Sequence, residues 1–165
     1  MKTRRVSLGI SVAAIVATIL VVAIGAQSGF AQGDPLLGTW VLNLAKSKYT
    51  PGPPPKEQTT TFEAAGQGVT VTTKGTDSAG KPTGTTYTAN YDGKDYPVTG
   101  SPDWDTVSLK RINANTVEYT RKRAGKVVQT ATAVVSKDGK TRTITSTGVN
   151  AQGQKIHNVG VYDKK

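Results

Sequence analysis

The chain has 165 residues, with 21 Lys and Arg against 11 Asp and Glu, one histidine and no cysteine. Without a thiol there is no disulfide framework, no lipid-bearing cysteine and no cysteine nucleophile, and one imidazole supplies no histidine pair for a metal. The positive balance favours acidic partners without selecting one.

The first residues carry Lys2, Arg4 and Arg5, then an apolar run from Val6 to Ala26 and a small-residue exit, which is the layout of a secretory leader. The expected cut follows Ala31, with Gly29 at the third position back; cuts after Gly25 or Ala26 are alternatives. The run reaches the lower limit for a membrane span, so an uncleaved anchor is the other reading, and a membrane is expected as a partner only in that case. Thr3-Arg4-Arg5-Val6-Ser7-Leu8 resembles a twin-arginine signal but lacks the aromatic that usually follows. The reading is therefore a signal peptide over 1–31 and one domain over 32–165, in a periplasmic or secreted protein. Taking 31 residues from 165 leaves 134, enough for a single modest core. The leader holds three of the 21 cations and no acid, so 18 against 11 gives the domain a charge of +7.

The domain opens with Asp34-Pro35-Leu36-Leu37-Gly38-Thr39-Trp40-Val41-Leu42-Asn43, a turn and then an alternating strand. With Trp40 and Leu42 inward, the tryptophan is an aromatic plug for one end of a barrel. Leu44 to Tyr49 reads as a helical turn. Thr50-Pro51-Gly52-Pro53-Pro54-Pro55-Lys56 cannot join a ladder and reads as an extended connector, with a proline-rich ligand segment as the sharper alternative. From Gln58 onward Thr, Val and Tyr dominate, and turn signals recur at Gly66, Gly80, Gly93, Asn113, Gly125, Gly139 and Gly153. The predicted strands are 38–44, 57–64, 68–76, 83–91, 94–98, 105–112, 115–123, 126–135, 140–149 and 154–162. Ten strands joined by short hairpins make an all-β, antiparallel up-and-down meander, and closing it into a barrel removes the edges.

The predicted inward set is Trp40, Leu42, Phe62, Val69, Val71, Tyr87, Tyr96, Val98, Val107, Leu109, Val117, Tyr119, Val128, Val134, Ile144 and Tyr162. Threonine is frequent among the neighbours. It either lines a partly wet interior or decorates the outer face.

These residues resemble those of the calycins, the lipocalins and fatty-acid-binding proteins. Gly38-Thr39-Trp40 is similar to the G-x-W that opens their barrels. Val117-Glu118-Tyr119, Gly125-Lys126-Val127-Val128, Asp138-Gly139-Lys140 and the ending Val161-Tyr162-Asp163-Lys164 resemble the fatty-acid-binding branch. The chain also resembles small exported bacterial proteins with a lipocalin-like domain. The resemblance implies a barrel of about ten strands that binds a small apolar or amphiphilic molecule. It departs from the family at two places. The connector stands where the family inserts a helical lid, and the family's Arg-x-Tyr carboxylate grip is Gly160-Val161-Tyr162 here. Only Tyr162 carries over, and the second family arginine falls near Ala133 or Val134.

The basic cluster Lys110, Arg111, Arg121, Lys122, Arg123 and Lys126 lies on three consecutive predicted strands. Parity turns Arg121 inward behind Tyr119, and Arg111 inward behind Leu109 at the opposite barrel end. Arg121 with Tyr119 then anchors an anionic head group, or else forms a solvated strand end with paired charges. Trp40, Tyr119, Arg121, Tyr162 and Arg111 are the candidate ligand-binding residues, and Trp40, Tyr119 and Tyr162 are expected to share one cavity. Asp103-Trp104-Asp105 suits either a sugar-handling site or turn bonding to backbone amides. His157 reads as an ordinary strand histidine. No convergent acid-base set is visible, so the chain is expected to be neither an enzyme nor a cofactor protein. Nucleic acid is not an expected partner. The expectation is an exported carrier of a small apolar or anionic amphiphilic ligand; the alternative is an envelope or extracellular interaction protein whose basic surface binds acidic polymers or partner proteins.

Overall fold

The computed structural model describes residues 33–150 and 152–165. The leader expected over 1–31 lies outside the described residues. The remainder is a nearly closed antiparallel barrel built as the turn spacing predicts. Its strands are β1 (Gly38–Leu42), β2 (Lys48–Thr50), β3 (Glu57–Ala65), β4 (Gly68–Thr76), β5 (Pro82–Asn90), β6 (Tyr96–Pro97), β7 (Thr106–Asn113), β8 (Thr116–Arg123), β9 (Lys126–Val135), β10 (Thr141–Val149) and β11 (Lys155–Lys164). Their order around the wall is β5-β4-β3-β1-β11-β10-β9-β8-β7-β6. Between β5 and β6 the wall is held by Thr86 and Thr99, whose backbones exchange two hydrogen bonds of 3.0 Å.

The one strand not predicted is β2. It and β1 share one neighbour: β1 pairs with residues 162–164 of β11 and β2 with residues 157–159. They act as one interrupted strand, and the single 3-10 turn Leu44–Lys46 loops out between them. Ser47 holds that interruption in place, its hydroxyl accepting from the Val161 amide at 2.9 Å and donating to the Asn43 carbonyl at 2.7 Å. The connector then leaves β2 without any ladder, as its prolines require.

The core follows the period-two pattern, with Trp40, Val69, Val71, Val107, Leu109, Val117 and Tyr119 almost fully buried. Tyr96 and Val98 pack against this core only in part. On β9 the expectation is corrected. Val134 is exposed, and Ala131, Ala133 and Val135 are the buried residues. The cause is a bulge: Arg121 pairs with Gln129 but Lys122 pairs with Val127, so Val128 is an extra residue with no partner. An extra residue reverses the parity of all that follows, so a face projected from Val128 comes out wrong by one. β10 accommodates the bulge through Gly148, opposite Gln129, where an added Cβ would lie 2.1 Å from the Val128 carbonyl oxygen.

One end of the barrel is plugged. Trp40 and Leu36 are fully buried there, and the indole Nε1 donates to the Leu36 carbonyl at 2.8 Å. The Asp34 carboxylate accepts from both terminal nitrogens of Arg111, from the Tyr91 hydroxyl at 2.9 Å and from the Leu36 amide at 3.0 Å. The Arg111 guanidinium also stacks 3.8 Å from the Tyr91 ring centre. This assigns Arg111 and Trp40 to closing the barrel.

Candidate functional site

The opposite end carries the connector, the β10–β11 turn and the segment around Trp104. They enclose a cleft of about 220 Å³ lined by Tyr49, Pro51, Gly52, Pro53, Asp103, Trp104, Val128, Gln129, Val149, Asn150, Ile156 and Asn158. None of Trp40, Tyr119, Arg121, Tyr162 and Arg111 is among them, so the expectation that Trp40, Tyr119 and Tyr162 share one cavity is corrected: Trp40 lies at the plugged end, and the tryptophan of the open end is Trp104. Its position is fixed from two sides. Tyr87 meets it edge-on with ring centres 6.2 Å apart, and the Arg121 guanidinium lies 4.9 Å from the indole centre. The neighbouring Asp105 does the turn bonding, its carboxylate accepting from the Ala124 amide at 2.7 Å.

Arg121 stands directly behind this cleft. Parity places it inward on β8 after Val117 and Tyr119, its guanidinium lies 5.9 Å from the Tyr119 ring, and one terminal nitrogen donates to the Gln129 side-chain oxygen. The β9 bulge is what turns Gln129 toward it. Deeper in the barrel lies Arg142, only 4% exposed, between the rings of Phe62 at 4.7 Å and Tyr162 at 5.3 Å. Among the described residues neither arginine has a carboxylate within ion-pair distance; the pairs that exist are Lys46–Asp163, Lys94–Asp92, Arg111–Asp34 and Lys122–Asp95. Four donor atoms of this interior are buried with no protein partner: Nε of Arg121, Nε and Nη1 of Arg142, and the Tyr119 hydroxyl. Leaving charged donors so is costly unless an acceptor arrives.

The barrel interior thus holds two guanidiniums among buried phenol rings. Burial pulls the Arg121 guanidinium below its ordinary value; Tyr87, Tyr119 and Tyr162 oppose this and Arg142 reinforces it. Burial raises the phenols of Tyr49, Tyr87 and Tyr91, with Tyr162, Tyr119 and Asp34 respectively adding to the effect. Tyr162 is raised by its burial as well, against the pull of Arg142. Its hydroxyl donates to the Gln58 side-chain oxygen. Because these folded values lie above the free-phenol value of 10.0, their contribution to stability is complete below that pH and is lost as pH rises beyond it. Titration of the phenolate ultraviolet band to about pH 11 should therefore ionise these four phenols in denaturant but not in the native barrel. Equal phenolate signals in the two states would show the phenols to be solvated.

Arg142 is the residue that sequence reasoning missed. Its signal was present, since it sits two positions before the inward Ile144. Gly160, where the fatty-acid-binding pattern has its arginine, faces the Tyr49 hydroxyl and Ile144 at 3.3 Å from an added Cβ, and the Tyr162 ring at 3.0 Å. Tyr49 from β2 therefore fills the space that a longer side chain would need. The guanidinium beside Tyr162 comes instead from the adjoining strand, where Arg142 pairs with Tyr162 in register.

In its fold the barrel is similar to two solved structures. The zebrafish ileal bile acid-binding protein, solved in complex with cholic acid, matches it with a TM-score of 0.50 and 16% identity over 79% of this chain and 99% of that one. The Mycobacterium tuberculosis protein Rv2717c matches with a TM-score of 0.52 and 15% identity over 79% of this chain and 93% of that one. At such identities the likeness is one of fold. No protein-family model matches the chain, and no curated protein does.

Proposed function

We propose that this chain is an exported binding protein for a small anionic molecule, whose charged group enters the barrel from the Trp104 end and is held by Arg121 and Arg142. The observation that carries this reading is the pair of interior guanidiniums with no carboxylate partner and with buried donors unclaimed. A planar guanidinium suits a carboxylate, and an anion placed between the two arginines would supply the acceptors that the protein withholds. The bile acid-binding neighbour supports a ligand of amphiphilic character. The rings of Tyr119 and Tyr162 stand beside the two guanidiniums, 5.9 Å from Arg121 and 5.3 Å from Arg142. The leader over 1–31 supports delivery to the periplasm or the medium, with no catalytic step and no cofactor.

Calorimetry on the protein without its leader tests this with hexanoate and its neutral amide. Arg121→Ala should weaken hexanoate by about 1.5–3 kcal/mol and leave the amide nearly unaffected, because only the ionised partner gains a charge-assisted bond. Arg123→Ala, an exposed cation on the same hairpin, is the control and should change neither. Equal losses for acid and amide, or equal losses from both substitutions, would reduce the effect to surface charge and remove Arg121 as the anchor.

A further inference from the structure

The outer part of this site is polar, and its polar groups are of a particular kind. Gln129 has its side-chain oxygen engaged by Arg121, which turns its amide NH2 away from that bond as a free donor. Asn158 is fixed the same way: its oxygen accepts from the Thr50 amide at 3.1 Å, and its NH2 is unclaimed. Asp103 lines the same cleft and makes no ion pair among the described residues, and Trp104 gives it an aromatic wall. The cleft holds about 220 Å³, below the roughly 300–1,000 Å³ of sites for drug-sized apolar ligands.

From this arrangement we infer that the ligand is a compact polyhydroxylated acid, a sugar acid of the uronic type, with its carboxylate at Arg121 and its hydroxyls in the cleft. The inference rests on the anion-binding reading above and narrows it. A hydroxyl donates and accepts at once, so it satisfies Asp103 with its proton and the two amide NH2 groups with its oxygen. An alkyl chain would leave all three unpaired on losing water. An ammonium group would satisfy Asp103 but has no lone pair for the amides. A second carboxylate at the outer end would face Asp103 as a like charge. The apolar face of a sugar ring matches Trp104. Free uronic acid and the terminal unit of an acidic polysaccharide share this chemistry.

The test is calorimetry on the protein without its leader, using D-galacturonate, D-galactose, hexanoate, phenylalanine and a galacturonate trimer. D-Galacturonate should bind at least about tenfold more tightly than hexanoate and galactose, and Asp103→Ala should remove about tenfold of that affinity while leaving hexanoate unchanged. Asn158→Ala should act in the same direction, and the thermal midpoint of each variant shows whether it is folded. A trimer that binds like the monomer assigns the source to polymer ends; a much weaker trimer assigns it to the free sugar acid. Hexanoate binding as tightly as galacturonate with full dependence on Arg121 would overturn the sugar-acid inference and leave the anion site standing. Phenylalanine binding more tightly than galacturonate would also overturn it, by giving Asp103 to an ammonium. Absence of any Arg121-dependent binding would overturn both.

Discussion

Arg142→Met should stabilise the ligand-free protein by about 1–4 kcal/mol and at the same time abolish anion binding. Most substitutions at a position 4% exposed act the other way, because they remove packing or leave a partner unsatisfied. Here the native side chain carries the unsatisfied groups itself, Nε and Nη1, and among the described residues no carboxylate answers its charge. Methionine keeps an unbranched chain of similar length between Phe62 and Tyr162 and takes away the charge that burial disfavours. The gain in stability is the measure of how far the ground state is held poised for a ligand, and the loss of binding identifies what the poise is for. Chemical denaturation of the two proteins, with and without hexanoate, reads both effects. A variant less stable than the parent by a typical core deletion would mean that the protein already satisfies Arg142, and the site would lose its deepest member.

At the other end of the barrel the same reasoning gives the opposite sign. Asp34→Ala should cost about 3–5 kcal/mol, since it strands Arg111 at a largely buried position. The Asp34 side chain is 3% exposed and that of Arg111 15%, so water can do little to replace the lost carboxylate. The Tyr91 hydroxyl and the Leu36 amide lose their acceptor in the same step, and with it goes the turn that seats Leu36 and Trp40. The double variant Asp34→Ala with Arg111→Met should recover much of the loss, because removing both charges leaves no buried ion unpaired. Equilibrium denaturation of the single and double variants checks this. A loss under about 1 kcal/mol would class the pair with exposed salt bridges instead.

The two arginine sites differ in how legible they are. The meander is written in the sequence because Gly, Asn and Asp must recur where hairpins turn, and β-branched residues must alternate between the turns; each predicted strand matches an observed one to within a few residues. Arg121 is legible for the same reason, following Tyr119 by two. Arg142 follows the same rule from Ile144 and is hidden only because the fatty-acid-binding pattern draws attention to the last strand, where Gly160 stands. Gln129 is not legible, since a bulge at Val128 depends on the close approach of Gly148 across the sheet and nothing local announces it. Asp34 reads locally as a turn residue, which it is, accepting from the Leu36 amide. Its bond to Arg111 spans 77 positions and belongs to the closed barrel alone. The threonines divide between the two sides: Thr60 is buried and pairs its hydroxyl with that of Thr73 at 3.2 Å, whereas Thr70 pairs with Thr88 at 2.8 Å on the exposed side.

The central claim is that two interior arginines await an anion, and native mass spectrometry of the protein purified from its own source tests it most directly, run beside Arg142→Met prepared in the same way. The account predicts a discrete added mass on the parent that carries acidic groups, leaves on denaturation and is missing from the variant. A parent that shows only its polypeptide mass, and takes up no carboxylate when small acids are added in excess, would contradict it and leave the barrel with a basic surface as its only means of recognition.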